Sequence, residues 1–159
     1  MSLDVTLRYS KKVRDQLIWL KRQTGLPHYH TLCRWAFCVS MSDASQPKEF
    51  QIGGEARDRL SQLTGADAAS FELPWDRFGQ RDAEILALLL KRRLVADKID
   101  PTRENLQRAA QAHIQRGMSR LMAGKRIKTV ADMVKLAVTA ADENIREKKQ
   151  PRSHRNSPN

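Results

Sequence analysis

A short alternating segment followed directly by two helix-forming segments constrains the fold of this chain more than any other feature. Residues 3–8, LDVTLR, place Leu3, Val5 and Leu7 on one face and polar side chains on the other. This period of two is typical of a strand that buries one face. The chain is therefore predicted to begin with a short strand and to continue as a mainly α-helical protein.

Two helices are predicted after the strand. Ser10 is a suitable N-cap for the first, and apolar residues then recur at helical spacing as far as Thr24. Gly25 ends that helix, because glycine readily adopts the left-handed conformation of a C-terminal cap. The second helix runs from Pro27 to about Met41 and is apolar nearly all round. Such a helix is buried on most sides, by its own domain or by another subunit.

Residues 24–40 contain the residue types of metal and redox sites. His30 and Cys33 are three apart, but Cys38 points away from that face, and no Cys-x-x-Cys pair completes a set of four ligands. Both cysteines are expected to be small buried hydrophobic residues, so the segment is interpreted as part of the core. Arg34 is predicted to pair with a carboxylate or to face a subunit contact.

The middle of the chain gives a weaker pattern. Residues 50–52, FQI, and 71–73, FEL, are predicted as short strands, and residues 55–63 as a short helix ending near Gly65. Residues 81–98 follow as a strong helix.

A long helix is predicted next, with Asp100 as N-cap, Pro101 at the first helical position and Gly124 at the end. His113 and Gly117 lie on its apolar face. His113 is interpreted as a core histidine. Gly117 costs about 1 kcal/mol of helix propensity relative to alanine, which close approach of another helix would explain.

The last predicted helix begins at a capping box formed by Thr129 and Asp132. Its apolar stripe is predicted to comprise Val130, Val134, Val138 and Ala141. The chain is therefore divided into a domain over residues 1–124, an extra C-terminal helix over 125–147 and a disordered basic tail over 148–159.

Net charge favours a polyanionic partner. The formal charge is +11, and the excess lies at the two ends of the chain. Residues 1–42 carry seven Lys and Arg against two Asp, and residues 125–159 carry nine against four acidic residues. Nucleic acid is the first expectation for such a pattern, and an anionic membrane surface the second.

Several classes of protein are disfavoured by the sequence. Residues 1–15 lack the apolar core of a signal peptide, the apolar run ILALLL is too short to span a bilayer, and two cysteines are too few for a disulfide scaffold. A cytoplasmic protein is expected. No glycine-rich phosphate loop and no pair of acids beside a pocket is recognisable. The sequence therefore predicts a binding protein, not an enzyme, without cofactor or metal.

Three short segments carry a resemblance to a known family. They are the hairpin turn at residues 24–26, TGL, the second helix with Arg34, Ala36 and Ser40, and residues 113–121, HIQRGMSRL. In this order and spacing the chain resembles the DndE family of the bacterial DNA phosphorothioation system, which replaces a non-bridging phosphate oxygen of DNA with sulfur. The resemblance covers roughly residues 5–122.

The resemblance implies a variant of the ribbon-helix-helix fold with additional helices, in which the short N-terminal strands of two chains pair. It also implies a homotetramer that binds nicked double-stranded DNA through its basic surface and acts with other phosphorothioation proteins. Sulfur mobilisation and ATP hydrolysis belong to those partners. No role at a membrane is implied.

Three functions remain open from the sequence. The first is a non-catalytic DNA-backbone-binding subunit, the second a sequence-specific ribbon-helix-helix repressor that reads bases through Thr6 and Arg8, and the third a nuclease using His113. The residues predicted to bind DNA are Arg8, Lys11, Lys12, Arg14, Lys21, Arg22, Arg116, Arg120, Lys125, Arg126 and Lys128. The residues predicted to serve structure or oligomerisation are Gly25, Arg34, Trp35, His113 and Gly117.

Overall fold

The computed structural model describes residues 3–51 and 71–149 as a mainly helical chain with one two-stranded sheet. In chain order the elements are β1 Thr6–Tyr9, α1 Lys11–Thr24, α2 Tyr29–Met41, α3 Lys48–Gln51, β2 Phe71–Pro74, α4 Trp75–Gly79, α5 Ala83–Ala96, α6 Arg103–Met122 and α7 Val130–Lys149. Short 3-10 turns precede α5 at Gln80–Asp82 and follow α6 at Ala123–Lys125.

The N-terminal strand finds its partner within the same chain. β1 pairs antiparallel with β2, and Leu7 lies opposite Leu73. Leu7 is fully buried and Val5 nearly so, which confirms the predicted inward face. The segment FEL was correctly predicted as a strand.

Helix α1 is capped at both ends by the residues predicted from the sequence. The Ser10 side chain accepts a hydrogen bond from the Val13 amide, and Gly25 follows α1 at a φ of 70°. Its amide donates to the carbonyl of Lys21 at 2.9 Å, which closes the last turn of α1. A Cβ at Gly25 would meet no atom within 4 Å, so glycine is required there for its backbone conformation and not for space.

The core is built on the contact between α2 and α6. Leu32, Ala36 and Phe37 of α2 are buried within this chain, so α2 needs no second subunit to cover it. Gly117 of α6 lies against the backbone of α2, where an added Cβ would stand 1.8 Å from the Ala36 carbonyl oxygen. The close approach predicted for Gly117 is confirmed.

Two local predictions were wrong. The N-cap of α6 is Thr102, whose side chain accepts a hydrogen bond from the Asn105 amide at 3.2 Å, and Pro101 therefore precedes the cap. The backbone carbonyl of Asp100 instead accepts a hydrogen bond from the side-chain amide of Asn105. Phe50 lies in the short helix α3 and not in a strand. The helix predicted at residues 55–63 lies outside the described residues.

The C-terminal helix α7 packs on α2 through a different face from the one predicted. The capping box is present, since the Asp132 carboxylate accepts from the Thr129 amide and the Thr129 hydroxyl from the Asp132 amide. Met133 is fully buried, whereas Val134 and Val138 are 40% and 55% exposed. The helix continues to Lys149, beyond the predicted boundary at residue 147, and the rest of the predicted tail lies outside the described residues.

Helix α5 carries apolar side chains on two opposite faces. Leu86, Leu90 and Leu94 are buried in the core. The opposite face exposes Ile85, Leu88, Leu89 and Val95, each by 47% to 64%. This set of four is called the α5 apolar face below.

In residues 3–51 and 71–149, none of the helices combines the length and apolar character needed to cross a membrane.

Candidate nucleic-acid interface

The predicted cations of α1 lie on the surface. Lys11, Lys12, Arg14, Lys21 and Arg22 all have exposed side chains, while Val13, Leu17 and Leu20 hold the helix on the core. The ammonium group of Lys21 lies 5.1 Å from the centre of the Tyr29 ring. Among the described residues, no salt bridge engages the other four cations. They therefore remain available to a polyanion.

A second group of cations follows α6. Lys125, Arg126 and Lys128 are exposed, and Gly124 and Lys125 both adopt left-handed backbone conformations, with φ values of 66° and 47°. This turn brings Lys125 beside the start of α1, so one member of the second group lies near Lys11 and Lys12.

A groove of about 710 Å³ lies where Lys125 approaches α1. It is called the Trp19 groove, and it is lined by Ser10, Lys11, Lys12, Asp15, Gln16, Trp19, Met122 and Lys125. Sequence reasoning did not single out Trp19, because its spacing only widened the apolar face of α1. The combination of an aromatic ring with nearby lysines becomes visible only when the end of α6 is placed against α1.

The Arg8 side chain is exposed but forms an ion pair within the protein. Its side chain is 65% exposed and forms an ion pair with Glu72 of β2, with Nε 3.4 Å from Oε1. The pairing of β1 with β2 also places Glu72 directly opposite Arg8. A neighbouring carboxylate weakens attraction to phosphate, so Arg8 is a poorer DNA contact than the lysines of α1.

Arg116 points inward and not towards solvent. Only 11% of its side chain is exposed. Nε donates to the hydroxyl of Ser40 at 2.6 Å, Nη2 to the Ser40 carbonyl at 2.7 Å, and Nη1 to the carbonyl of Ser45 at 2.9 Å. Arg116 thus clamps the C-terminal end of α2 and the following loop onto α6, which disfavours the predicted phosphate contact.

Arg120 is also occupied by the protein. Its guanidinium donates to the carboxylate of Asp43, and its side chain is 37% exposed. Burial alone would raise the pKa of Asp43, but hydrogen bonds from Arg120 and Ser45 outweigh that effect and hold the pKa well below its usual value. Arg120 is therefore neutralised where a DNA contact was predicted.

His113 is a core histidine, as the sequence suggested. Its side chain lies 2.9 Å from Ser40 through Nδ1, and the residue is only 2% exposed. The Ser40 hydroxyl also accepts a hydrogen bond from Arg116 Nε, so it links the buried ring to the guanidinium. Burial, reinforced by Arg116 and Arg93, lowers the pKa of His113 to about 3. The buried ring cannot contact a DNA phosphate, so His113 does not support the nuclease alternative.

His113 predicts a pH dependence of stability. Unfolded histidine has a pKa of about 6.5, so between that pH and about 3 the unfolded chain binds a proton that the folded chain refuses. The free energy of unfolding is therefore expected to fall as the pH drops from 7.5 to 5. Urea unfolding at both pH values measures it. A His113→Gln variant should show a smaller drop, and an unchanged drop would assign the effect to other groups.

Within the residues that the structure describes, the two cysteines, His28 and His30 form no recognisable site. Cys33 is buried and its pKa is raised to about 12 by desolvation, as expected for a core residue. Cys38 is exposed, contrary to prediction, because it lies on the side of α2 away from α6. The side chain of His30 lies 2.9 Å from Gln80. In the described part of the chain, no three His, Cys, Asp or Glu side chains gather in a group able to hold a metal ion.

Arg34 makes a contact that was not predicted. Its Nη1 donates to the carbonyl of Gly79 at 3.5 Å, so it helps to hold α2 against the end of α4 and does so through a carbonyl, not a carboxylate. Trp35 is partly buried and packs against the core.

Comparison with known families adds the deciding observation. The sequence model of the family described as DNA sulphur modification protein DndE matches residues 6–129. The chain belongs to the DndE family. No curated protein and no solved structure gives a significant match.

The DndE match ends where the extra helix begins. It stops at Thr129, and α7 starts at Val130, so α7 lies outside the matched residues. Several of the residues that carry the resemblance to the DndE family have a common structural role. Ala36 and Ser40 of α2 contact Gly117, His113 and Arg116 of α6, so these motif residues form the main helix contact of the core.

Proposed function

We propose that this DndE-family chain is a non-catalytic, cytoplasmic subunit that binds the DNA backbone during phosphorothioation, with a preference for nicked double-stranded DNA. The observation that carries the proposal is the charged surface formed by α1 and the turn after α6. Lys11, Lys12 and Lys125 lie together there without ion pairs among the described residues. Family membership places the chain in DNA sulphur modification.

The repressor alternative is less well supported. A ribbon-helix-helix repressor reads bases through a strand that inserts into the major groove. Here β1 pairs with β2 of its own chain, and Arg8 faces Glu72. We propose that the fold is a variant of the ribbon-helix-helix unit in which β2 takes the place of a second chain's strand.

Replacing both Lys11 and Lys12 with alanine tests the backbone-binding proposal. Each neutralised phosphate contributes about 0.9 to the slope of log affinity against log salt, so the slope should become shallower by up to about 2. Affinity should fall by a similar factor for unrelated sequences. Filter binding across a salt series, on two duplexes each intact and singly nicked, measures both.

The matched control removes two exposed cations from elsewhere, Arg81 and Lys98, and so lowers the net charge equally. The control should bind nearly as the unmodified protein does. A flat salt response, or a strong preference for one sequence, would reject backbone binding. Equal affinity of the unmodified protein for intact and nicked duplexes would reject the nick preference alone.

We further propose that the protein assembles as a homotetramer that acts with other phosphorothioation proteins. The support is the α5 apolar face, since exposed apolar side chains grouped on one face of a helix are typical of an interaction surface. The buried position of α2 moves the expected contact from that helix to α5.

A Leu88→Asp substitution is expected to dissociate the oligomer, because it places an unpaired charge in an apolar contact. Light scattering at micromolar concentration should show a mass below that of a tetramer, with helical content retained. Arg81→Asp places a carboxylate in the 3-10 turn before α5, outside the α5 apolar face, and should leave the mass unchanged. A folded monomer in the unmodified protein would contradict the tetramer.

A further inference from the structure

The Trp19 groove combines an aromatic surface with a cationic one. One wall is the partly exposed indole of Trp19, which packs against the core on its other side, with Met122 beside it. The other surface is cationic, from Lys11, Lys12 and Lys125. Against these three lysines stands one carboxylate, Asp15, so the groove carries a net positive charge.

The backbone at the groove's edge supports a binding role for Lys125. Its φ of 47° lies in the left-handed region, which is uncommon for residues other than glycine. Gly124, just before it, has a φ of 66°, so the chain turns sharply to bring Lys125 to the groove instead of continuing α6. Unfavourable backbone conformations of this kind persist where the fold over-determines them and cluster at binding sites.

An aromatic ring flanked by lysines matches the chemistry of an unstacked nucleotide. Base stacking on an aromatic side chain is sequence-tolerant, and the lysines neutralise the flanking phosphates. Ser10 and Gln16 line the same groove and offer a hydroxyl and an amide to base edges. In an intact duplex the bases remain stacked on each other, so their faces are not available to the Trp19 ring.

We propose that the Trp19 groove binds an unstacked DNA nucleotide, with its base against the Trp19 ring and its phosphates beside Lys11, Lys12 and Lys125. This inference rests on the proposed DNA-backbone function and adds a ligand that an intact duplex does not present. A strand end at a nick supplies such a nucleotide by fraying, and single-stranded DNA supplies it directly. The groove thereby gives a physical reason for a nick preference.

The test compares Trp19→Ala and Trp19→Phe in the full chain, on four DNA probes of equal sequence and length. The probes are an intact duplex, a singly nicked duplex, a duplex with a one-nucleotide gap, and the single strand. Stacking contributes about 1–3 kcal/mol per base, so Trp19→Ala should lose about 5- to 150-fold affinity for the nicked, gapped and single-stranded probes. Its affinity for the intact duplex should change less than about two-fold. Trp19→Phe keeps an aromatic face and should restore most of the loss.

Loss of affinity confined to the single strand would assign the groove to single-stranded DNA, and loss on the nicked probe would assign it to strand ends as well. Equal weakening on all four probes, or no weakening on any, would overturn the inference while leaving backbone binding intact. Thermal melting by circular dichroism checks that Trp19→Ala folds. If it does not fold, the affinities of Trp19→Phe and Trp19→His for the four probes are compared instead. A difference in affinity between these two variants that is the same on every probe overturns the inference. Absence of DNA binding by the unmodified protein would reject the proposed function itself.

Discussion

Gly117→Ala should lower the melting temperature by about 10 °C, although alanine is the better helix former. The added Cβ would lie 1.8 Å from the carbonyl oxygen of Ala36 and 2.3 Å from its carbonyl carbon, and neither atom can move without displacing α2. Overpacking a core typically costs about 1–3 kcal/mol, and a clash with backbone belongs at the upper end. For a chain of this length, 1 kcal/mol shifts the melting temperature by about 2–4 °C.

The matched control is Ser119→Ala, at an exposed position of the same helix. It also gains helix propensity, by less than the glycine substitution does, without approaching another element, and its effect should stay within about 0.5 kcal/mol. Differential scanning calorimetry measures both variants. A Gly117→Ala protein that melts at or above the temperature of the unmodified protein would show that α2 and α6 are not packed as described.

Arg116→Met should cost about 3 kcal/mol in the free energy of unfolding. The substitution keeps much of the side-chain volume but removes the donors that satisfy the hydroxyl and carbonyl of Ser40 and the carbonyl of Ser45. Leaving buried polar groups without partners costs about 1–3 kcal/mol each, and partial access of water at Ser45 reduces the sum. Urea unfolding at pH 7.5 measures the change.

Arg103→Met is the matched control on the same helix. Arg103 pairs with Asp4 at 3.3 Å, but the two side chains are 69% and 97% exposed, so the pair is screened by water and contributes little. If Arg116→Met is no more harmful than Arg103→Met, then Arg116 does not clamp α2. In that case the predicted role of Arg116 as a phosphate contact would have to be tested again by DNA binding.

Local signals in the sequence were enough to predict the elements that depend on a few neighbouring residues. The N-cap at Ser10, the left-handed Gly25 and the capping box of Thr129 and Asp132 are each determined by hydrogen bonds within one turn of helix. The apolar face of α6, including His113, followed from a period that no competing pattern disturbed.

Features that depend on distant parts of the chain could not be predicted from local sequence signals. The partner of β1 lies beyond α3, so spacing could not show that the strand would pair within its own chain. Helix α7 has apolar residues on more than one side, and only its packing on α2 selects Met133 over Val134.

In the candidate site, too, local features could be predicted from the sequence and contacts between distant residues could not. The basic residues of α1 lie outside its apolar positions in the sequence, and their side chains are exposed. The sequence could not separate Lys125, which joins the Trp19 groove, from Arg116 and Arg120, which bind Ser40 and Asp43. All three are cations near the end of one helix, and only the positions of their neighbours distinguish them.

The contact between Ala36 and Gly117 also has a consequence for synthesis of the protein. Translation proceeds at roughly 5–20 residues per second, so the segment that covers α2 emerges from the ribosome about 4–16 s after α2 itself. During that interval the surface of Ala36 that Gly117 covers is exposed, while α1 and then α4 contact other parts of α2. The nascent chain is therefore open to aggregation until α6 is complete, and slower translation would lengthen this period of exposure.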